Sequence, residues 1–219
     1  ISTNLHHWAI VNDAKKKGAK VVVIDSYKSR TAKEADWHIC PKPGTDGALA
    51  VSILNYIINN NLVDNEYVSN HTNGFDELKN HVQGKDSSWA SEITGIPAEQ
   101  IEKLASEMST QQPVGIRIGV ALERHNGGGQ TIRAVTCIPA LTGAWKHVGG
   151  GITQFPVWEH PYKFDVICRP DWIPKGTRVV NALQIGRALL GENLDKNIPI
   201  KSMMCWNANP VTQAPETEK

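Results

Sequence analysis

The sequence predicts an α/β fold with a mostly parallel sheet, and three observations lead to that prediction. Lys20–Asp25 (KVVVID) is a continuous β-branched run of the kind that forms a strand buried on both faces. Helical patterns stand on both sides of it, which is the order of an α/β crossover. An aperiodic Pro- and Trp-rich stretch separates two regions of this kind. The predicted architecture is therefore a Rossmann-like three-layer domain plus part of a second α/β unit.

In the first 60 residues, helical and strand patterns alternate. Leu5, Trp8 and Ile10 recur at helical spacing, and Gly18 stands where a helix often ends. A short helix is predicted after the first strand, followed by a second strand and a long apolar helix that begins after Pro43–Gly44. The predicted elements are a helix over 5–17, a strand over 20–25, a helical turn over 31–36, a strand over 37–41 and a helix over 46–60.

Residues 64–109 are predicted to be helical throughout, in short pieces. The breaks are expected at Gly74, Gly84, Gly95 and Pro97. A strand is predicted over 114–120, a glycine-rich loop at 127–129 and a helix from about 130 to 143.

Three segments are expected along the chain. Residues 1–155 are predicted to form one α/β domain, 156–178 an irregular connection, and 179–219 the start of a second α/β domain. In that last segment we expect a helix over 179–190, a strand over 198–206 and a turn at Asn207–Pro210.

Charge and hydropathy exclude two kinds of partner. The net charge of +1 provides no general field for nucleic acid. No run of 18 apolar residues is present, so neither a membrane span nor direct membrane contact is expected. Basic residues exceed acidic ones seven to three over 1–35 and four to one over 110–150. Either the two segments approach one polyanionic ligand, or the excess is chance variation on solvated faces.

The four cysteines are Cys40, Cys137, Cys168 and Cys205, and no Cys-x-x-Cys pair occurs. The sequence therefore gives no support for a zinc ribbon, a thioredoxin-like site or an iron–sulfur run. Their apolar neighbours indicate buried small side chains, and none of the four is expected to bind a metal.

Two acidic residues follow predicted strands, at the positions where ligands bind in open α/β sheets. Asp25 ends the first strand, where a carboxylate can accept hydrogen bonds from ribose hydroxyls; an Asx turn is the alternative. Asp46, in the run Pro43–Gly47 (PGTDG), starts a helix that Thr45 can cap. Its carboxylate can accept two N–H bonds from a guanine edge, or it can simply serve the helix N-terminus.

Two further loops follow strands. The segment Gly115–Gly129 leads through ALERHNGGGQ into a helix, where backbone N–H groups can hold phosphate; a plain turn is the alternative. It is neither a Walker loop nor the dinucleotide fingerprint, which counts against an NAD-binding domain. The run Asn207–Thr212 (NANPVT) is by itself an ordinary turn.

Together these motifs resemble the central region of molybdopterin oxidoreductases of the dimethyl sulfoxide reductase family. That family has a strand, then Asp-Pro-Arg, Thr-Ala, Ala-Asp and Pro-Gly-Thr-Asp before a helix. The matching positions here are Asp25, Thr31, Ala32, Ala35, Asp36 and Pro43–Asp46. The later strings YVSNHTNGFDELK, ITGIPAEQIEKLA, GIRIGVALERHNGGGQTIRA, IPALTGAW and NANP resemble the family in the same order, so the resemblance covers essentially the whole chain.

The resemblance implies two molybdopterin guanine dinucleotides around molybdenum or tungsten. It places Asp25 at a guanosine ribose and Asp46 at the guanine of one dinucleotide, with the Gly119–Gly129 loop near its pterin or pyrophosphate. The family's Pro-Arg is Ser26–Tyr27 here, so Lys28 or Arg30 is expected to replace the arginine. The cofactor-binding residues that the resemblance implies are Asp25, Lys28, Arg30, Asp46, Gly119, Gly127, Gly128, Asn209 and Thr212, the last two for the second dinucleotide.

The resemblance also implies that the chain is a central fragment of a larger redox enzyme. The family's metal ligand and its usual [4Fe-4S] cluster lie upstream of this region, so no catalytic or metal-binding residue is assigned within the chain. The substrate is expected to be a small molecule such as an oxyanion, with electron-transfer subunits as partners, in the cytoplasm or periplasm of a prokaryote. The alternative is a non-catalytic α/β interaction or structural domain that binds no cofactor.

Overall fold

The computed structural model of the chain describes residues 5–154, 162–192 and 198–213. The chain separates into two compact units, residues 1–160 and 161–219. The first unit contains helices α1–α8 and strands β1–β4. In chain order these are α1 (Leu5–Lys16), β1 (Val22–Ile24), α2 (Arg30–Glu34), β2 (Trp37–Ile39), α3 (Asp46–Asn59), α4 (Asn65–His71), α5 (Phe75–His81), α6 (Ser87–Thr94), α7 (Ala98–Thr110), β3 (Gly115–Arg117), α8 (Gly128–Leu141) and β4 (Gly151–Thr153).

The sheet structure is less extensive than the sequence predicts. Strand β1 pairs in parallel with β2, with Val23 opposite His38, and β3 pairs in parallel with β4, with Ile116 opposite Ile152. Within the described residues these are two separate two-stranded sheets, so the structure shows the expected parallel pairing in two short pairs. The class is a helix-rich α/β fold.

The core of the first unit is built around α3. Its residues Ile53, Leu54 and Ile57 are almost fully buried, and helices α6, α7 and α8 pack on it. Side chains of β1 and β2 complete this core, since Ile39 is buried in it and Trp37 packs against it. The apolar pattern predicted for 46–60 therefore produces the central helix. No helix in the described part of the chain is long and apolar enough to cross a membrane.

Local signals explain where the surrounding helices begin. The side chains of Ser29, Asp64 and Asp86 accept hydrogen bonds from backbone N–H groups in the first turns of α2, α4 and α6. Gly95 ends α6 in the left-handed conformation. The predicted succession of short helices over 64–109 is confirmed.

Helices α3 and α8 lie side by side and run in the same direction. At their starts, a Cβ on Gly47 would lie 2.9 Å from Oγ1 of Thr131. At their ends, the N–H of Asp64 donates to the carbonyl of Leu141 over 2.8 Å, and the Asp64 carboxylate pairs with Lys146. The Lys146 ammonium, with the Tyr67 N–H, holds the pKa of Asp64 below its usual value. Both helix N-termini therefore lie at the same end of the unit.

The second unit departs further from the sequence predictions. It contains α9 (Phe164–Cys168), α10 (Ile185–Leu189) and α11 (Pro210–Gln213), with 3-10 turns at Pro170–Trp172 and Ala182–Gln184. The helix predicted over 179–190 thus forms only in its second half, and α9 lies within the stretch predicted to be irregular. Residues 198–206 form no strand with any described residue, so that prediction is wrong. The predicted domain limits at residues 155 and 178 stay predictions, and residue 155 lies outside the described residues.

The cysteines also differ from expectation. Cys40, Cys168 and Cys205 are exposed, whereas Cys137 on α8 is partly buried, which raises the pKa of its thiol. The apolar neighbours of Cys168 and Cys205 are themselves exposed, whereas Cys40 is exposed between two buried residues, Ile39 and Pro41.

Candidate functional site

The candidate site lies beyond the carboxyl ends of β1 and β2. Asp25 is the first residue after β1, and the chain leaving β2 passes through Cys40–Thr45 before α3 begins at Asp46. Because the two strands are parallel, Asp25 and the PGTDG turn lie beyond the same end of one sheet. This is the position where open α/β sheets bind ligands.

Asp25 is held in place by residues of β2 and of the loop that follows β1. Its N–H donates to the carbonyl of Ile39 over 3.0 Å, and its own carbonyl accepts from Nε2 of His38 over 2.8 Å. Its Oδ1 accepts the N–H of Tyr27 over 3.1 Å, so the Asx turn considered in the sequence is present. The side chain is exposed, and its Oδ2 has no hydrogen-bond partner among the described residues.

Asp46 lies in the first turn of α3 and is partly buried. Its carboxylate forms no hydrogen bond or ion pair with any residue that the structure describes. The expected Thr45 cap is absent, because the Thr45 hydroxyl donates instead to the carbonyl of Lys42 over 2.6 Å. Neither side chain occupies the N–H groups at the start of α3, which leaves this helix end open to an external acceptor.

Lys28 and Arg30 follow Asp25 on the way into α2. Lys28 is exposed, and Arg30 is the first residue of α2. The Arg30 guanidinium lies 3.8 Å from the Glu34 carboxylate, an exposed pair of the kind that contributes little stability. Both cations are thus exposed and lie within five positions of Asp25 in the chain.

The glycine-rich loop after β3 divides into two kinds of position. A Cβ on Gly119, Gly127 or Gly129 would meet no other atom within 4 Å, so open space lies over their backbone. Gly128 is different, because it is buried and a Cβ there would lie 2.6 Å from the Glu123 backbone. The structure thus explains Gly128 by packing, whereas Gly127 and Gly129 leave space over the backbone at the start of α8, and Gly119 leaves space earlier in the loop.

His125 connects this loop to the PGTDG turn, although no role is assigned to it in the sequence analysis. Nδ1 of its exposed ring would lie only 3.2 Å from a Cβ on Gly44. With the contact between Gly47 and Thr131, this brings the starts of α3 and α8 together. The available signal was the basic excess over 110–150, in which Arg124 and His125 precede the glycines.

Asn209 and Thr212 lie in the second unit, and their polar groups are engaged with each other. The N–H of Thr212 lies 3.4 Å from Oδ1 of Asn209, and the Thr212 hydroxyl donates to the Asn209 carbonyl over 3.4 Å. Asn207 has a φ of 50°, which is the left-handed conformation of a turn. No group of three potential metal ligands is found among the described His, Cys, Asp and Glu residues.

Comparison with known proteins decides the family. The sequence matches the family model described as molybdopterin oxidoreductase over residues 3–219. The chain belongs to this family. It is 40% identical to "Probable oxidoreductase YoaE" of Bacillus subtilis, and the match covers the whole chain and 32% of the length of that protein. It is 32% identical to "Probable dimethyl sulfoxide reductase chain YnfF" of Escherichia coli, over 89% of the chain and 28% of that protein.

A solved structure supports the same assignment. Acetylene hydratase from Pelobacter acetylenicus superimposes with a TM-score of 0.62 at 34% identity, covering 66% of this chain and 20% of that one. The chain spans about a third of the length of the curated relatives it matches, which is consistent with a fragment. Family membership implies a pterin cofactor that carries molybdenum or tungsten.

Proposed function

We propose that this chain is the central part of an oxidoreductase that uses two molybdopterin guanine dinucleotides, and that its first unit binds the guanosine end of one of them. The observation that carries the proposal is Asp46. A partly buried carboxylate with no partner among the described residues stands at the start of a long helix, beside accessible glycine backbone. Such a group is available to accept hydrogen bonds from a bound ligand.

The residues at this edge fit the parts of a guanine dinucleotide. The Asp46 carboxylate can accept the two N–H groups on one edge of guanine, and the free Oδ2 of Asp25 can accept a ribose hydroxyl. Lys28 and Arg30 supply positive charge for the pyrophosphate. The open backbone at Gly127, at the start of α8, and at Gly119, earlier in the same loop, can donate to its oxygens or to the pterin.

The fit also has a requirement for space. A Cβ on Gly44 would press on the His125 ring and one on Gly47 on the Thr131 hydroxyl, so a larger residue at either glycine would displace a side chain at this edge. His125, at the edge of this turn, is placed to contact the same ligand.

When bound, the molybdenum or tungsten centre supplies the redox chemistry, and the chain supplies binding and orientation. The substrate is a small molecule such as an oxyanion, and electron-transfer subunits and a [4Fe-4S] cluster outside this chain deliver or remove electrons. The names of similar proteins include both a reductase and a hydratase, so the shared feature is the cofactor rather than one reaction.

The second unit is assigned the other dinucleotide. Asn209 and Thr212 lie in a turn at the start of α11, and we propose that this turn contacts the second guanosine once the rest of the longer protein completes an α/β domain. In the same way, we propose that the two short parallel pairs of the first unit belong to the sheet of a larger Rossmann-like three-layer domain.

Cofactor extraction from the natural full-length protein tests the proposal. Acid hydrolysis is expected to release guanosine monophosphate at about two equivalents per molybdenum or tungsten. The isolated 219-residue chain is expected to show no turnover, since it lacks an assigned metal ligand. A full-length protein that contains neither pterin nor metal would favour the alternative, a non-catalytic interaction or structural domain.

A further inference from the structure

We propose that His38 is a positioning residue that fixes Asp25 for the ribose of the bound nucleotide. The inference rests on the proposed function, because it takes the ribose contact of Asp25 as given. His38 lies on β2 and is partly buried, and its Nε2 is 2.8 Å from the carbonyl oxygen of Asp25. Because a carbonyl can only accept, Nε2 carries the proton in this contact.

The register of the two strands explains how the ring reaches this carbonyl. His38 stands opposite Val23, two residues before Asp25. Side chains in strands lean along the strand direction, so the ring extends past Ile24 to the point where β1 ends. His38 thus contacts the first peptide that leaves the sheet.

That peptide determines where the Asp25 carboxylate points. With its N–H held by Ile39 and its carbonyl held by His38, the backbone of Asp25 is fixed on both sides. The Asx bond from the Tyr27 N–H then places Oδ1 and turns Oδ2 away from the turn. A weaker contact adds to this arrangement, since Sγ of Cys40 lies 3.4 Å from the carbonyl of Ser26.

Without the His38 bond, the peptide between Asp25 and Ser26 has no hydrogen bond to β2, since the weak Cys40 contact holds the carbonyl of the next peptide, Ser26–Tyr27. The Asx turn would then open more often, and Oδ2 would occupy its binding position for a smaller fraction of the time. The cost appears as lower affinity for any ligand that uses its ribose hydroxyls, and not for a ligand that lacks them.

The test uses the 219-residue chain with two probes, guanosine monophosphate and its dideoxy analogue, which lacks both ribose hydroxyls. His38→Phe keeps an aromatic ring and removes the donor, whereas His38→Gln keeps an N–H of similar reach. We expect His38→Phe to weaken binding of guanosine monophosphate by about three- to tenfold and to leave binding of the analogue unchanged. His38→Gln is expected to restore most of the loss.

Amide hydrogen exchange at Tyr27 gives a second readout that needs no ligand. His38→Phe is expected to speed exchange of this amide, while amides in α3 keep their protection. If wild-type protein does not distinguish the two probes, the ribose contact of Asp25 is wrong, and the positioning proposal fails with it. Suppose instead that wild-type protein and His38→Phe distinguish the two probes equally and that the Tyr27 amide stays protected in the variant. Asp25 then contacts the ribose, but His38 does not position Asp25.

Discussion

The hydroxyl of Thr131 lies directly against Gly47, at a distance of 2.9 Å from the position that a Cβ would take. This contact joins the first turns of α3 and α8, two helices of 14 residues each. Because Gly47 has no side chain, the helices approach closely enough for both N-termini to face the same space. The geometry of the candidate site depends on that approach.

Replacing Gly47 with alanine should therefore destabilise the chain by overpacking. We expect Gly47→Ala to lower the free energy of unfolding by about 1–3 kcal/mol. Thr131→Ala removes the opposing oxygen and should restore most of that loss in the double variant, as measured by urea denaturation. Equal losses in the single and double variants would show that the contact does not limit the packing.

Adjacent glycines at the start of α8 should respond in opposite ways. A Cβ on Gly128 would lie 2.6 Å from Glu123 backbone atoms, whereas a Cβ on Gly129 would meet nothing. We expect Gly128→Ala to lower the melting temperature. Gly129→Ala should leave the melting temperature unchanged or raise it, with a gain of up to about 1 kcal/mol in the free energy of unfolding. A fall in both variants would contradict this assignment.

Ser52 carries a buried hydroxyl without a hydrogen-bond partner among the described residues. Ser52→Ala removes that unpaired group and should raise the free energy of unfolding by about 1 kcal/mol. Thr94 provides the contrast, since its buried hydroxyl donates to Ala90 and accepts from the Ile96 N–H. Thr94→Val should cost about 1–3 kcal/mol. Chemical denaturation of both variants measures these changes. A lower free energy of unfolding in Ser52→Ala would mean that the Ser52 hydroxyl has a hydrogen-bond partner.

The ion pair between Asp64 and Lys146 should make stability depend on pH in acid. The pKa of Asp64 in the folded chain is lowered from 3.8, chiefly by Lys146, so the pair stabilises the fold above that pH. This contribution is lost as the pH falls through the lowered value. Asp64→Asn keeps an acceptor for the Tyr67 N–H but loses the charge.

We expect the stability difference between wild type and Asp64→Asn to be constant near neutral pH and to vanish in strong acid. Asp64→Ala also removes the cap of α4 and should lose about 1 kcal/mol more at every pH. Unfolding monitored across the acid range measures both quantities. A difference that persists unchanged in strong acid would mean that the pair does not stabilise the fold.

Asp46 should recognise guanine rather than cap its helix. Asp46→Asn replaces one acceptor with a donor and should weaken binding of guanosine monophosphate by about 10- to 100-fold. The melting temperature should barely change, because the carboxylate makes no bond within the described chain. Asp76→Asn, at the equivalent turn of α5, is the matched control. A large fall in melting temperature with unchanged binding would make Asp46 structural.

The sequence predicts the helices of the first unit well because their signals are local. Apolar periodicity gives α3 and α7, and the polar residues before α4 and α6 serve as caps. The motif order also identifies the ends of β1 and β2 as the candidate site. These features depend only on residues close together in the chain.

Side-chain pairing across the fold is not predictable in this way. The contacts of His38 with Asp25 and of His125 with Gly44 join residues 13 and 81 positions apart, and nothing local marks either histidine. Strand β4 is not predicted from the sequence, because the three consecutive glycines Gly149–Gly151 are typical of a loop. In the structure Gly151 has a φ of 99°, and a Cβ there would clash with the Trp145 ring.

Residues 198–206 have consequences for handling the isolated chain. The segment is rich in apolar side chains, and Met204 and Trp206 are 80% and 82% exposed. Its backbone forms no strand with described residues, although its composition favours one. A second molecule can supply the missing strand by edge-to-edge pairing. Concentrating this fragment will therefore promote aggregation, and solubility will depend on whatever normally covers these nine residues.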